Sequence, residues 1–273
     1  GNFFRGDFAG RAVVALSAED GSLLWHHGIG YRHRPIIIGN TLIAEPWAFE
    51  LRTGRQKMRT HPVTGEQVPW QFARPGHHCG AVSACPAALL FRSWSIGFYD
   101  LIRDDGTRTF PSLRPGCWIN LLPANGLVLA PEASSGCMCE FPNMCTVVFK
   151  PRQQDKMWGL FSTAGSMTPV AHLAINLGAP GDRRDADGTL WLAYPRPTGS
   201  LVLDFALGTH LASGGGYYHH DPQTLQLAGT DRPWLFSSGC RGLTRCVVPL
   251  SKRGQPSGRY IVRLGFVDLD NDQ

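Results

Sequence analysis

Ala15-Leu16-Ser17-Ala18-Glu19-Asp20-Gly21-Ser22-Leu23-Leu24-Trp25 opens on a small residue, places Gly seventh and ends on Trp eleventh. Ala48-Phe49-Glu50-Leu51-Arg52-Thr53-Gly54-Arg55-Gln56-Lys57-Met58 repeats that spacing 33 positions later, with Met in the Trp place. A looser copy runs from Tyr99-Asp100-Leu101 through Asp104-Asp105-Gly106-Thr107 to Phe110, and a shortened one from Val63-Thr64-Gly65-Glu66 to Trp70. Self-similarity at such a period means a repeat architecture. Within the repeat, Val13-Val14-Ala15-Leu16 predicts a strand and Leu23-Leu24-Trp25 its return. Glu19-Asp20-Gly21 and Arg52-Thr53-Gly54 place Gly where a hairpin turn needs positive φ. Pro35-Ile36-Ile37-Ile38, Gly39-Asn40 and Thr41-Leu42-Ile43-Ala44 predict a second hairpin. Strand, turn, strand at this spacing is the pattern of a propeller blade.

Outward from the repeats, Lys150-Pro151-Arg152-Gln153-Gln154-Asp155-Lys156 is polar and contains proline, and beyond it the period disappears. Strand-like pieces follow at Leu173–Leu177, Leu190–Tyr194, Leu201–Phe205 and Tyr260–Phe266. The last alternates apolar with polar residues, which predicts one buried face. No segment sustains a 3.6-residue apolar period. The expected fold is all-β: an incomplete propeller of about three blades at 1–150, a linker at 151–170 and a second β unit at 171–273. Some 150 residues at ~45 per blade fall short of the four blades a ring needs. The chain is therefore expected to be a fragment of a longer protein.

Composition narrows the function. The 26 basic residues include only four lysines, and no arginine run exceeds Arg183-Arg184, so the net charge of +5 is dispersed. A nucleic-acid footprint would be clustered, and none is expected. No apolar run approaches the ~18 residues of a membrane span. GxSxG, P-loop, HExxH, GxGxxG and CxxCH patterns are lacking. Eight cysteines, at 79, 85, 117, 137, 139, 145, 240 and 246, in a Gly- and Pro-rich chain point to disulfides and an oxidising compartment. Cys240 and Cys246, flanking Arg-Gly-Leu-Thr-Arg, form the easiest local pair. Cys79, Cys117, Cys137 and Cys139 lie in Gly-flanked loops and are expected to cluster as structural disulfides. The alternative for His77, His78, Cys79, Cys117, Cys137 and Cys139 is a zinc or copper site.

ALxxxxGxxLW resembles the blade signature of PQQ-type β-propellers, shared by quinoprotein dehydrogenases and their cofactor-free relatives. The stretch from Asn40 to Pro151 is similar to secreted bacterial proteins with PQQ-like repeats. That similarity rests on Arg74-Pro75-Gly76-His77-His78-Cys79-Gly80, Phe91-Arg92-Ser93, Arg114-Pro115-Gly116-Cys117-Trp118-Ile119-Asn120, Leu122–Leu127 and Pro131–Cys139. Tyr260–Asp268 is similar to a core strand of malectin-like and galactose-binding-like sandwiches, which makes the second unit an expected truncated β-sandwich. The resemblance implies a secreted or periplasmic binding module with a carbohydrate ligand, no cofactor within this fragment, and the remainder of its parent chain as partner. The alternative it implies is part of a sugar or alcohol dehydrogenase using PQQ with calcium. Arg92, Arg114, Trp118, Asn120 and Glu132 would then hold the quinone. Otherwise Arg114 and Glu132 order loops as ion pairs and Trp118 fills the core. In the second unit Tyr217 and Tyr218 are candidates to stack on a sugar. The acidic runs Asp182–Gly188 and Asp268–Asp272 are read as turns rather than calcium loops.

Overall fold

The computed structural model describes residues 11–111, 113–133, 136, 139, 141–152, 158–197, 203, 207–255 and 258–269. Of these, 40% are in strands and 2% in helix, so the all-β expectation holds. The chain divides into two compact units: residues 1–61 with 66–165, and 62–65 with 166–273.

The first unit is a series of small antiparallel sheets. β1 (Ala12–Leu16) pairs with β2 (Leu23–Gly28). β3 (Ile36–Ile38), β4 (Thr41–Ala44) and β5 (Trp47–Glu50) form a meander, followed by the β6 (Met58–Thr60) and β7 (Gln67–Pro69) hairpin. β8 (Ser83–Cys85), β9 (Ala88–Ser93), β10 (Ser95–Asp100) and β11 (Thr107–Phe110) form a second meander. β12 (Leu122–Ala124), β13 (Leu127–Ala130) and β14 (Val147–Phe149) form a third. β15 (Gly159–Leu160) pairs with β11 as the fifth strand of that sheet, so part of the expected linker belongs to the first unit. Strands pair mostly with their neighbours in the chain, and the described residues form several small sheets rather than an established closed ring.

The repeat has a physical basis. Ser17 N donates to Ser22 O at 2.8 Å and Gly21 N to Ser17 O at 2.9 Å; Glu50 N to Arg55 O and Gly54 N to Glu50 O repeat both distances. Trp25 of the first copy is buried with Leu42, Ala44 and Phe49 and donates its indole N–H to Leu51 O at 2.9 Å. It lies over the turn of the second copy, where a Cβ on Gly54 would come within 2.7 Å of its ring. Gly54, at φ +70°, is glycine for both reasons. Met58, in the second copy's Trp place, is half exposed.

Two apolar layers sit on the faces of β9. Its alternation sends Leu89 and Phe91 into a cluster with Ile43, Ala48, Phe72, Val82 and Tyr99. Leu90 goes the other way, to Ile96 of its own sheet and to Leu121 and Ala130 at the next. Arg92 follows Leu90 on that second face, at the end of the strand.

The second unit contains β16 (Ala174–Leu177), β17 (Arg183–Arg184) and β18 (Leu190–Tyr194), with β16 parallel to β18. β19 (Gly208–His219) and β20 (Ser238–Val247) form a long ribbon, and α1 (Pro233–Phe236) is a single turn. Asp185 accepts from Asp187 N, Thr189 N, Trp191 Nε1 and Arg232 Nη1 at 2.8–3.0 Å, so the Asp182–Gly188 run closes on the protein's own donors as a turn. The described residues of this unit thus hold one three-stranded sheet and one two-stranded ribbon, which do not establish the expected sandwich. Tyr260–Phe266, expected to bury one face, is irregular and exposed: Ile261, Val262, Leu264 and Phe266 are each at least 74% accessible. An alternating segment becomes a strand only beside a pairing edge, and no described strand pairs with it. The expected Leu201–Phe205 strand lies, except for Leu203, outside the described residues.

Candidate functional site

Three loops of the first unit converge on Arg92, through residues 74–81, 113–121 and the described residues 131–133, 139 and 141–145. Each is tied to the sheets by its own backbone. Trp94 N donates to His77 O at 2.8 Å and Ser93 Oγ to Pro75 O at 2.6 Å, which fixes the first loop to the β9–β10 turn. Arg114 N donates to Phe141 O at 2.9 Å and Ala133 N to Asn143 O at 2.9 Å. Asn143 Nδ2 donates to Pro131 O and Cys145 O at 2.7 and 3.0 Å, which closes the third loop on itself. Asn120 Nδ2 donates to Ala81 O at 2.8 Å and to Cys79 O at 3.3 Å, joining the first loop to the second. Gly80 packs directly against the Cys117 carbonyl, leaving no room for a Cβ.

Arg92 is fully buried and Arg114 is 2% exposed. Arg92 Nη1 donates to Cys117 Sγ at 3.3 Å; Arg114 Nη1 reaches the same sulfur at 3.9 Å, and its Nη2 donates to Ala133 O at 3.0 Å. Among the described residues no carboxylate pairs with either cation, and Arg92 Nε, Arg92 Nη2 and Arg114 Nε have no hydrogen-bond partner. Burial pulls the Arg92 pKa down, but the adjoining sulfurs of Cys139, Cys117 and Cys79 outweigh it and hold the guanidinium above its ordinary value. His77 Nε2 lies 2.9 Å from Cys79 Sγ. His78 faces away, to Gly76 O at 2.8 Å and Arg32 Nη1 at 3.3 Å, and burial holds its pKa below the usual imidazole value.

Beside these loops a buried ion pair braces the first. Arg74 donates to both oxygens of Glu45 at 2.9 and 2.6 Å. Next to it, burial and the Arg74 charge push the His33 pKa down to about 4.

The predicted residues thus separate. Arg92, Arg114, Asn120, Cys79, Cys117, Cys139 and His77 meet at one place. Trp118, expected either in the core or over a quinone, is 79% exposed, and Glu132 is also exposed. Cys137 lies outside the described residues. Among the described residues no group of three or more His, Cys, Asp and Glu is arranged to hold a metal. A guanidinium, itself a cation, already donates to the Cys117 sulfur at 3.3 Å, which disfavours a metal ion there. No disulfide is seen among the described cysteines, including Cys79, Cys117 and Cys139. Cys240 and Cys246, expected to flank a loop, both lie on β20, opposite Tyr217 and Thr209. Tyr217 and Tyr218 are half-buried neighbours on β19, so they face opposite sides of the ribbon. Tyr217 bonds Thr209 at 2.8 Å and Tyr218 packs under Arg241, which leaves no paired stacking surface.

Residues missed by sequence reading are Trp94, Phe141, Asn143 and the Glu45–Arg74 pair. One signal was available: Arg-Pro-Gly occurs at both 74–76 and 114–116, at the start of two of the three loops, although Gly76 has positive φ and Gly116 does not.

No family model matches this chain, and no curated protein matches it. The fold and site define an all-β protein of small, mostly antiparallel sheets with a cationic, thiol-lined loop cluster. No helix among the described residues is long and apolar enough to cross a membrane.

Proposed function

We propose that the chain is a non-catalytic binding module built on PQQ-like propeller blades, secreted or periplasmic, that takes carbohydrate at the loops around Arg92. One observation supports this above others. Trp94 and Phe141 have φ of 59° and 55° yet are 60% and 67% exposed. A bulky residue in the left-handed region costs ~1–2 kcal/mol, and neither ring gains enough burial to offset it. Strain of this kind concentrates at ligand clamps. Trp118, next to Cys117 in the chain, adds a third exposed ring. Flat apolar rings on loops held from below suit the C–H face of a sugar, with polar groups at the rim for its hydroxyls.

The dehydrogenase alternative has less support. An enclosed quinone calls for Trp118 stacked over its ring and for Asn120 and Glu132 at a calcium ion. Trp118 and Glu132 are exposed, and the Asn120 amide already holds two carbonyls.

The test is titration calorimetry against a panel of soluble neutral and acidic polysaccharides, with PQQ plus calcium as a separate arm. Trp94→Ala and Trp118→Ala should each weaken polysaccharide binding about tenfold, near 1.4 kcal/mol. An intact protein that binds no polysaccharide, or variants that bind like the parent, would refute the reading. Dye-linked oxidation of a sugar with PQQ would replace it with the dehydrogenase.

A further inference from the structure

A buried charge is tolerated only when it is paired. Arg92 and Arg114 are two such charges; they share the Cys117 sulfur, and Arg114 alone also holds the Ala133 carbonyl. Arg92 Nε and Nη2 are buried without a hydrogen bond of normal geometry, and the nearby Cys139 sulfur adds to the attraction on the guanidinium. Among the described side chains recorded beside the two guanidiniums, those that can become anions are cysteines. Cys117 touches both cations, and it is half-buried, so small molecules can reach it. A cysteine beside cations at an accessible position is the reactive kind, because the thiolate is the nucleophile.

A second thiol stands ready beside it. The close packing of Gly80 on the Cys117 carbonyl lays the Cys79 loop alongside Cys117. The His77 imidazole is within 2.9 Å of Cys79 Sγ, in position to take its proton. The loops are fixed by Asn120 rather than by a covalent staple, so the sulfurs are left for chemistry.

We propose that Cys117, held as a thiolate between Arg92 and Arg114, is a site of thiol–disulfide exchange, with Cys79 as its resolving partner and His77 as proton acceptor. The oxidant is a low-molecular-weight disulfide, RSSR. The Cys117 thiolate attacks one sulfur; the R–S–S–R bond breaks, a Cys117–S–S–R bond forms and RS⁻ leaves. Cys79 then passes its proton to His77 Nε2 and attacks the Cys117 sulfur, expelling the second RS⁻. Two protein thiols are oxidised to one disulfide and RSSR is reduced to two thiol equivalents. This chemistry uses the Arg92 cluster and does not depend on the carbohydrate reading.

The experiment uses the whole chain, fully reduced, desalted and exposed to glutathione disulfide at pH 7. Modified peptides are sequenced by mass spectrometry over time. Exposed Cys145 is the internal reference. Cys117 should be modified at least about tenfold faster than Cys145, followed by a Cys79–Cys117 linkage. His77→Ala, a change at an exposed position, should preserve the first step and let the Cys117–glutathione adduct accumulate. Arg92→Met should bring Cys117 down to the Cys145 rate; should that variant not fold, the comparison within the parent protein decides alone. Cys117 reacting no faster than Cys145 would overturn the proposal, as would a linkage joining other cysteines.

Discussion

Replacing Gly54 with alanine should destabilise the first unit by an amount that depends on Trp25. A Cβ there would lie 2.7 Å from Trp25 Cδ2, 2.8 Å from Cγ and 3.0 Å from His27 Nε2, at φ +70°. The left-handed backbone costs an alanine ~1–2 kcal/mol. Overpacking against the indole adds ~1–3 kcal/mol, since the ring is held by its bond to Leu51 O. Gly54→Ala should therefore cost about 2–5 kcal/mol, and Trp25→Ala about 3–5 kcal/mol by loss of the buried ring. In the double variant the overpacking disappears, so the two costs should fall short of additivity by ~1–3 kcal/mol. Gly21→Ala is the control, at the same turn position with φ +74° and nothing within 4 Å. It should show the backbone cost alone. Urea unfolding followed by far-ultraviolet circular dichroism measures all four variants. Additivity of the Gly54 and Trp25 changes to within about 0.5 kcal/mol would show that the ring does not sit on the turn.

Glu45→Gln leaves Arg74 buried without its counter-charge and should cost about 3–5 kcal/mol in the same assay; a loss under ~1 kcal/mol would mean the pair is open to water. Burial holds His33, His61 and His78 below the ordinary imidazole pKa of 6.5, His33 at about 4. The unfolded chain then binds protons that the folded chain refuses, so stability is complete above pH 6.5 and falls as pH drops toward 4. Because His33 is partly accessible its share is ~1–2 kcal/mol, and His33→Gln should flatten the urea midpoint between pH 7 and 4.5; an unchanged slope would contradict this. Trypsin under native conditions should cut first at exposed Arg259 and Arg263, and early cleavage at buried Arg92 would contradict the burial described.

The turns were legible in the sequence because their chemistry is local. Gly21, Gly39 and Gly54 all have positive φ, and the Ile36–Ile38 and Thr41–Ala44 hairpin falls where alternating apolar runs and Gly-Asn place it. What the turn glycine would touch was not legible, since Trp25 reaches it from another copy. The Arg92 cluster was half legible: its residues were named one by one, but as disulfide partners, or in the alternatives as ligands for a metal or a quinone. Spacing does not reveal that a guanidinium joins the cysteines, because β9 brings Arg92 in from outside their loops. Cys240 and Cys246 misled because Gly242 signals a loop, whereas β20 continues through it with a register shift opposite. Tyr260–Phe266 misled for the opposite reason: alternation records a preference for a half-buried surface, and a preference needs a second strand to act on.

The seating of one copy's indole on the next copy's glycine gives the array a direction. The ring is offered by the first copy and the notch by the second, while Met58 in the second copy's ring place is half exposed, so this junction works in only one order. A duplication of 33 residues carries both halves of the contact into the new copy, whereas an insertion of one residue between ring and notch would leave each facing the wrong neighbour. Genetic change in this part of the chain is thus tolerated in whole units, or at loop tips such as Gly65 where nothing packs, and poorly anywhere between.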